Sequence, residues 1–380
     1  MQKVERPPER PLLIFDGECG FCRRWIVRWG GLTRGAVDYA PSQEAAGRFP
    51  EIPPASFALS VWLVEPDGTV SSGAEAVFRS LARAPGGGVW LWFYRRLAGF
   101  APLTEAFYGL VARHRVFFSR LTDLLWGKPL KPSTHSISRQ LFFGALGLVY
   151  FSAFVSMGTQ VLGLVGSRGI LPAADFLKVS DGFLLFLCWG GAALALLFTA
   201  GVARFPVGLL LWIFYLSLVT IGQDFLGFQW DNLLLETGLL SLFLTPKEES
   251  DFAAGLWLLR FLLFRVMFSS GMVKLLSGDA AWRGLLALRV HYQTQPLPTW
   301  VGWYFHQMPP GFQTFSCLVM FFIELIVPFF IFMPRRPRMA AGVTLIVFQG
   351  LIFLTGNYGF FNILTAALCL LLFDDEALRT

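Results

Sequence analysis

The sequence predicts a chain of two domains, a small α/β domain at the N-terminus followed by a polytopic all-α membrane domain of about eight spans. Three observations predict this. Of 380 residues, 55% are hydrophobic and only 15% charged, with a mean hydropathy of +0.57, where a soluble domain carries about 25% charge. The apolar excess is uneven: residues 1–138 hold an ordinary mix of charges with prolines and arginines throughout, and from Gln140 onward apolar runs near membrane-spanning length recur. The first part instead alternates short strand-like and helix-like patterns.

Taken in order, PLLIF (11–15) reads as a short buried strand. Cys19 and Cys22 follow, and RRWIVRWGGL reads as a helix ended by Gly30-Gly31. AVDYAP reads as a second strand. ASFALSVWLVEPDGTVSSG holds two apolar runs around Pro66-Asp67-Gly68, a hairpin signal. AEAVFRSLARAPGG reads as a helix stopped by Pro85 and its glycines. The order β-α-β-ββ-α is that of a thioredoxin-like fold. Residues 88–126 are aromatic and basic, and are expected to form helices lying on the membrane or packed on the domain. GKPLKPSTHSISR has the Lys, Pro and Ser content of a linker. The expected boundaries are therefore 1–126, 127–138 and 139–380.

The spans are expected at 140–165, 183–203, 205–222, 228–245, 254–276, 313–333, 339–355 and 358–373, the fourth and eighth being short or interrupted. Lys and Arg in the loops set the orientation. PRRPRM (334–339) is the strongest basic loop. With the N-terminal domain in the cytoplasm and all these spans present, that loop, Arg204 and Lys247 face the cytoplasm, and the segment 277–312 faces outside.

The net charge of +6 follows from arginines in the N-terminal domain and short loops. Basic, aromatic segments such as VWLWFYRRLAGF fit a membrane interface, so nucleic acid is excluded as a partner. MQKVERPPERP has no apolar core of signal-peptide type. Five cysteines are too few for a disulfide scaffold; Cys188, Cys317 and Cys369 lie in apolar runs as small buried hydrophobes.

A strand leading into Cys-x-x-Cys at a helix start is a redox arrangement. Cys19 is expected near the helix N-terminus, where free N–H groups and the helix dipole favour a thiolate, with Arg23 and Arg24 adding positive charge. Cys22, one turn on, is placed to resolve a mixed disulfide. Such chemistry needs no cofactor beyond the redox-active disulfide itself. Half a zinc site and a structural pair are the alternatives, but no second CxxC exists and His114 and His135 are isolated, so no metal is expected. FDGECGFC and VWLVEPDGTVSSGAEAVFRSL resemble the DCC family of thioredoxin-like thiol-disulfide oxidoreductases over residues 10–125. The resemblance implies that Cys19 attacks and Cys22 resolves. Asp16 matches the family's aspartate, which on chemical grounds either caps the turn or accepts a proton.

Polar residues inside spans are costly and so are functional candidates. FQWDNLLLETGLL carries Asp231, Asn232 and Glu236, the last two on one helix face. The run 258–285 carries Arg260, Arg265 and Lys274, and Glu236 with Arg265 makes a plausible pair, either functional or fixing helix packing. Glu324 in MFFIELIVPFF needs a partner or a proton. The segment 277–312 is rich in Trp, Tyr and Pro, carries His291 and His306, and reads as interfacial or re-entrant; anchoring, partner binding and a histidine site all remain open there.

FLGFQWDNLLLETGLLSLFLTP, the run from LFRVMFSSG through HYQTQPLPTWVGWYFHQMPP, and TGNYGFFNILTAALCLLLFDD resemble the lipase maturation factor family over residues 140–376. Those animal proteins are polytopic proteins of the endoplasmic reticulum membrane needed for folding secreted lipases. The resemblance implies a chaperone-like role with a client protein, a lipase among the candidates, and a thiol electron donor or acceptor. The sequence departs from the animal pattern in ending at Thr380, without the large lumenal domain, and in carrying the DCC-like part in front, which points to a bacterial inner membrane. Lipase maturation factors are also distantly similar to the vitamin K-dependent carboxylase group. An intramembrane enzyme acting on a quinone or lipid through Glu236, Arg265, Lys274 and His291 therefore stays open, as does a non-catalytic scaffold. A dithiol in the cytoplasm is kept reduced, so the expected role is on the reducing side.

Overall fold

The computed structural model describes residues 3–127, 130, 132–173, 179–246 and 249–379; Lys247 and Thr380, used above for orientation and chain end, lie outside them. The chain divides into two compact units, Met1–Pro132 and Ser133–Thr380.

The first unit is built on a four-stranded sheet of order β2-β1-β3-β4, with β1 at Leu12–Phe15, β2 at Asp38–Pro41, β3 at Trp62–Val64 and β4 at Val70–Ser72. β1 runs parallel to β2 and antiparallel to β3, and β3 is antiparallel to β4. All four residues of β1 are buried. Their side chains alternate, so Leu12 and Ile14 enter one core with Phe49, Ile52 and Phe57, while Leu13 and Phe15 enter the other with Ile26, Leu63 and Ala76. The strand order and directions are those of a thioredoxin-like α/β unit.

Helix α1 (Gly20–Thr33) runs past the expected stop at Gly30-Gly31. Those glycines serve close packing: Gly30 lies on the Tyr39 ring, and a Cβ on Gly31 would stand 2.7 Å from Pro132. The helix ends instead where Arg34 and Gly35 adopt φ of +49° and +80°. α2 (Ser42–Ala45) and α3 (Pro54–Leu59) follow. The first apolar run read as a strand is thus largely helical, because Pro53-Pro54 starts a helix. The hairpin itself forms around Pro66-Asp67-Gly68, with Gly68 at φ +82° and Asp67 Oδ1 accepting the Thr69 N–H at 2.9 Å. α4 (Gly73–Leu81), α5 (Gly88–Arg96), α6 (Phe100–Arg113) and α7 (Arg115–Trp126) complete the unit. α6 is packed on it through Glu105, whose carboxylate accepts the Ala74 and Glu75 N–H groups at the start of α4 at 3.1 and 3.0 Å.

The second unit is helical: α8 (Ser136–Leu164), α9 (Asp181–Thr199), α10 (Arg204–Gly222), α11 (Gln229–Ser241), α12 (Glu249–Leu276), the short α13 (Ala280–Arg283), α14 (Ala287–Thr294) and α15 (Trp300–His306), then α16 (Pro310–Leu325), α17 (Arg335–Thr355), α18 (Phe361–Leu370) and α19 (Asp375–Arg379). Among the described residues, six helices are long and apolar enough to cross a membrane, against about eight expected. The difference falls on the fourth and eighth: α11 has 13 residues before a 3-10 turn at Leu242–Leu244, and α18 has 10. The apolar runs there include turn residues that do not extend the α-helix. α16 likewise passes into a 3-10 stretch, Val327–Phe332, where Pro328 removes a backbone donor. The start of α8 is held by the far end of the unit, since Asp375 accepts the Ser136 and Ile137 N–H groups at 2.9 and 2.7 Å. The segment 277–312 forms no span; its short helices are fastened to the end of α17 by Gln295 Nε2 and Thr299 Oγ1, each donating at 2.8 Å to the Thr355 and Leu354 carbonyls.

Candidate functional site

In the first unit β1 delivers Asp16, Gly17 and Glu18 into a tight turn. A side chain on Gly17 would meet Gln43 Oε1 at 2.6 Å and Pro41 Cβ at 2.8 Å, so only glycine fits. Asp16 Oδ1 accepts the Glu18 N–H at 3.1 Å, and its backbone carbonyl accepts the Cys19 N–H at 3.3 Å. Asp16 thus acts as a turn cap here. This places Cys19 at the N-cap of α1, its Sγ accepting the Cys22 N–H at 3.3 Å. The Cys22 thiol donates to Cys19 Sγ at 2.7 Å, and both cysteines are free.

α7 brings further positive charge to the dithiol. Arg115 donates from Nη1 to Asp16 Oδ2 at 3.2 Å and from Nη2 to the Ala58 carbonyl at 2.8 Å. Burial opposes its charge, yet the Cys22 and Cys19 sulfurs and Asp16 together hold its guanidinium above the usual range. Arg24 is instead ion-paired with Asp123 and donates to Ser119, and Arg23 is exposed. Arg23 and Arg24, expected to add positive charge nearby, line the groove at Cys19; Arg115, which lies 99 residues from Asp16, was not read from the sequence.

The two sulfurs have different surroundings. Cys22 faces a small, partly open space of about 50 Å³ lined by Trp25, Trp29, Phe57 and Tyr108. Burial, reinforced by the hydrogen bond and charge of Cys19, pushes its thiol up to about 12, with Arg115 pulling the other way. Cys19 opens on a groove lined by Arg23, Arg24, Arg115 and Arg120. Both cysteines are half-buried; the helix-capping Cys19 on the open groove is set to attack, and Cys22, its thiol raised, to hold its proton until needed.

The second unit distributes its polar candidates over several contacts. Asp231 is 1% exposed; its carboxylate accepts the Phe228 N–H at 3.1 Å and the Tyr215 hydroxyl at 2.5 Å, so it caps α11 and ties it to α10. Asn232 is exposed. Glu236 is ion-paired with Arg265 at a half-exposed position. Arg260 donates to the Leu371 carbonyl at 2.8 Å. Glu324, 4% exposed, finds its partner in Lys274, whose Nζ lies 2.7 Å from both carboxylate oxygens. His291 Nε2 is 3.0 Å from the Tyr358 hydroxyl, and His306 Nε2 is 2.6 Å from Gln293 Nε2, so the two histidines meet separate partners. Burial, with Lys274 acting in the same direction, holds His291 below its usual range. Lys274, His291 and Glu324 line one cavity of about 680 Å³. Gln349, Tyr358 and Asn362 also line it and were not singled out from sequence; the signal was available, since an amide inside an apolar run is costly unless used.

A family model for the lipase maturation factor transmembrane domain matches residues 137–182 and 176–380, and one for the DCC1-like thiol-disulfide oxidoreductase matches residues 13–121. Lipase maturation factor 2 of Xenopus laevis is 41% identical over 279 residues, covering 64% of this chain and 40% of the relative. Its Homo sapiens counterpart is 39% identical over 286 residues, with the same coverages. Lipase maturation factor 1 of Mus musculus is 34% identical over 286 residues, covering 66% and 50%. The chain therefore spans about 40% of the length of the first of these relatives. No solved structure matches. With its family-specific stretch running through the long apolar helices of the second unit and a DCC-type thiol-disulfide oxidoreductase domain ahead of it, the chain belongs to the lipase maturation factor family of integral, multi-pass membrane proteins.

Proposed function

We propose that the protein acts in the folding or maturation of exported or membrane proteins, with dithiol-disulfide exchange at Cys19 and Cys22 as its chemistry. The observation that carries this is the pairing of Cys19 at a helix N-cap with Cys22 one turn on, whose thiol donates to it at 2.7 Å. Cys19 attacks a substrate disulfide, one substrate sulfur leaves as thiolate, and Cys22 then attacks Cys19 Sγ, closing an intramolecular disulfide and releasing the second substrate thiolate. An external thiol donor returns the pair to the reduced form. The client is an exported or membrane protein, and the names of the relatives make a lipase the first to try; the bilayer is the other partner.

We take the first unit to lie in the cytoplasm of a bacterial inner membrane, a reading that the basic loop 334–339 supports. There the exchange runs in the reducing direction. This orientation requires α11 with its 3-10 extension to cross, although at 1.5 Å per residue it reaches only about 24 Å. Cysteines placed at positions 285 and 337 should then be labelled from opposite sides; labelling of both from one side removes the cytoplasmic assignment.

The chemistry is tested by titrating the purified full chain against a glutathione redox series. A two-electron couple is expected in the wild type and none in Cys19→Ser. A couple unchanged by that substitution, or no couple at all, would eliminate dithiol exchange.

A further inference from the structure

The cavity in the second unit has about 680 Å³, within the range of about 300–1,000 Å³ that takes small molecules. Two buried amides line it. Asn362 is 2% exposed, and neither its Nδ2 nor its Oδ1 has a hydrogen-bond partner. Gln349 is 3% exposed; its Nε2 donates to the Met267 sulfur at 3.4 Å, a weak acceptor, and its Oε1 has no partner. A buried amide left unmade costs about 1–3 kcal/mol, and here two residues that carry that cost face the same space. One of them offers both a donor and an acceptor.

Two further features describe the occupant. Phe315 and Val319 line the cavity and are 62% and 37% exposed on α16, a helix of membrane-spanning length and composition. The α16 wall of the cavity therefore has a side that a bilayer would cover. The charges lining it are Lys274 and Glu324, which neutralise each other at 2.7 Å, so no spare cation is present for a phosphate head.

We propose that this cavity binds an uncharged amphiphilic lipid whose head both donates and accepts hydrogen bonds, a hydroxyl-and-carbonyl head of the acylglycerol kind. Asn362 and Gln349 hold the head, and the acyl chain leaves past Phe315 and Val319. The site is independent of the dithiol, and its test does not depend on exchange activity.

The test uses the purified full chain in nanodiscs with three photoactivatable probes: a diacylglycerol, a phosphatidic acid of the same chains, and a ubiquinone, whose head accepts but does not donate. Saturable labelling of α16 or α17 by the diacylglycerol is expected, about tenfold stronger than by the other two. Asn362→Leu should reduce that labelling about tenfold while leaving the lipid-free protein as stable as the wild type or more so, because an unpartnered amide is removed. Ser316→Trp, which fills the cavity from α16, should abolish the labelling. Three results overturn the proposal: no saturable labelling of folded wild type, meaning water alone satisfies the amides; equal labelling by all three probes and by Asn362→Leu, meaning annular lipid; or a preference for phosphatidic acid or the quinone.

Discussion

Cys22→Ser should turn the first unit from a turnover catalyst into a trap. Challenged with an aromatic disulfide such as 5,5′-dithiobis(2-nitrobenzoic acid), this variant releases one equivalent of thiolate and keeps the other half bound to Cys19, which intact mass measurement reads directly. Multiple turnover in the presence of a dithiol reductant should fall by about a thousandfold. Cys19→Ser loses turnover to the same extent and forms an adduct far more slowly than Cys22→Ser, because burial beside Trp25 and Trp29, the largest cause of the raised Cys22 thiol, persists without Cys19. The asymmetry has a further consequence for the resolving step. Part of what holds the proton on Cys22 is its hydrogen bond to Cys19 and the charge of that sulfur. Once Cys19 is in a mixed disulfide, that contribution disappears and Arg115 remains, so Cys22 becomes a better nucleophile at the step that requires it. In the same assay Arg115→Met should slow the first attack at pH 7 about tenfold, and Arg24→Met, already paired with Asp123, less than about twofold. Adduct formation at Cys22 in Cys19→Ser at a rate near wild type would reverse the assignment.

What the sequence disclosed and what it hid separate along the range of the interactions. β1, the Cys-x-x-Cys turn and the Pro66-Asp67-Gly68 hairpin rest on patterns a few residues long, and each is read from neighbouring residues alone. Gly30-Gly31 misled because a glycine that ends a helix and one that lets Tyr39 or Pro132 approach it look alike in sequence. The α3 segment misled because its apolar run is short enough to suit either a strand or a helix, and Pro53-Pro54 decided it. Arg115 could not be read at all: nothing local marks which of many arginines a fold will carry back to Asp16 and Cys19. The same holds for Asp375 at the start of α8. In the membrane unit, hydropathy located the apolar segments but not where the helix gives way to a turn, so the segments expected as the fourth and eighth spans hold α-helices of only 13 and 10 residues.

Lys274→Met should destabilise the membrane unit by about 3–5 kcal/mol, read as a fall of roughly 10 °C in the thermal midpoint of the purified protein. The pair it breaks is lopsided. Glu324 is 5% exposed at its side chain and Lys274 22%, and Lys274 also lies 5.5 Å from the Trp282 ring. Losing the lysine leaves a carboxylate with no route to water, which must take a proton or be paired. Losing the acid leaves an ammonium on a long stem that turns toward the more open side. Glu324→Leu should therefore cost less than Lys274→Met, and the double variant Lys274→Met/Glu324→Leu should recover most of the loss, since two apolar side chains of similar volume replace the pair. Equal costs for the two single variants would show that desolvation of Glu324 is not what sets the penalty. The double variant also separates two roles for the pair. Its cavity stays without net charge, so diacylglycerol labelling should persist within a few-fold of wild type if Asn362 and Gln349 hold the head. If labelling collapses in a double variant that has regained its stability, the ion pair itself contacts the ligand, and the head must carry a group that meets Lys274 or Glu324 directly.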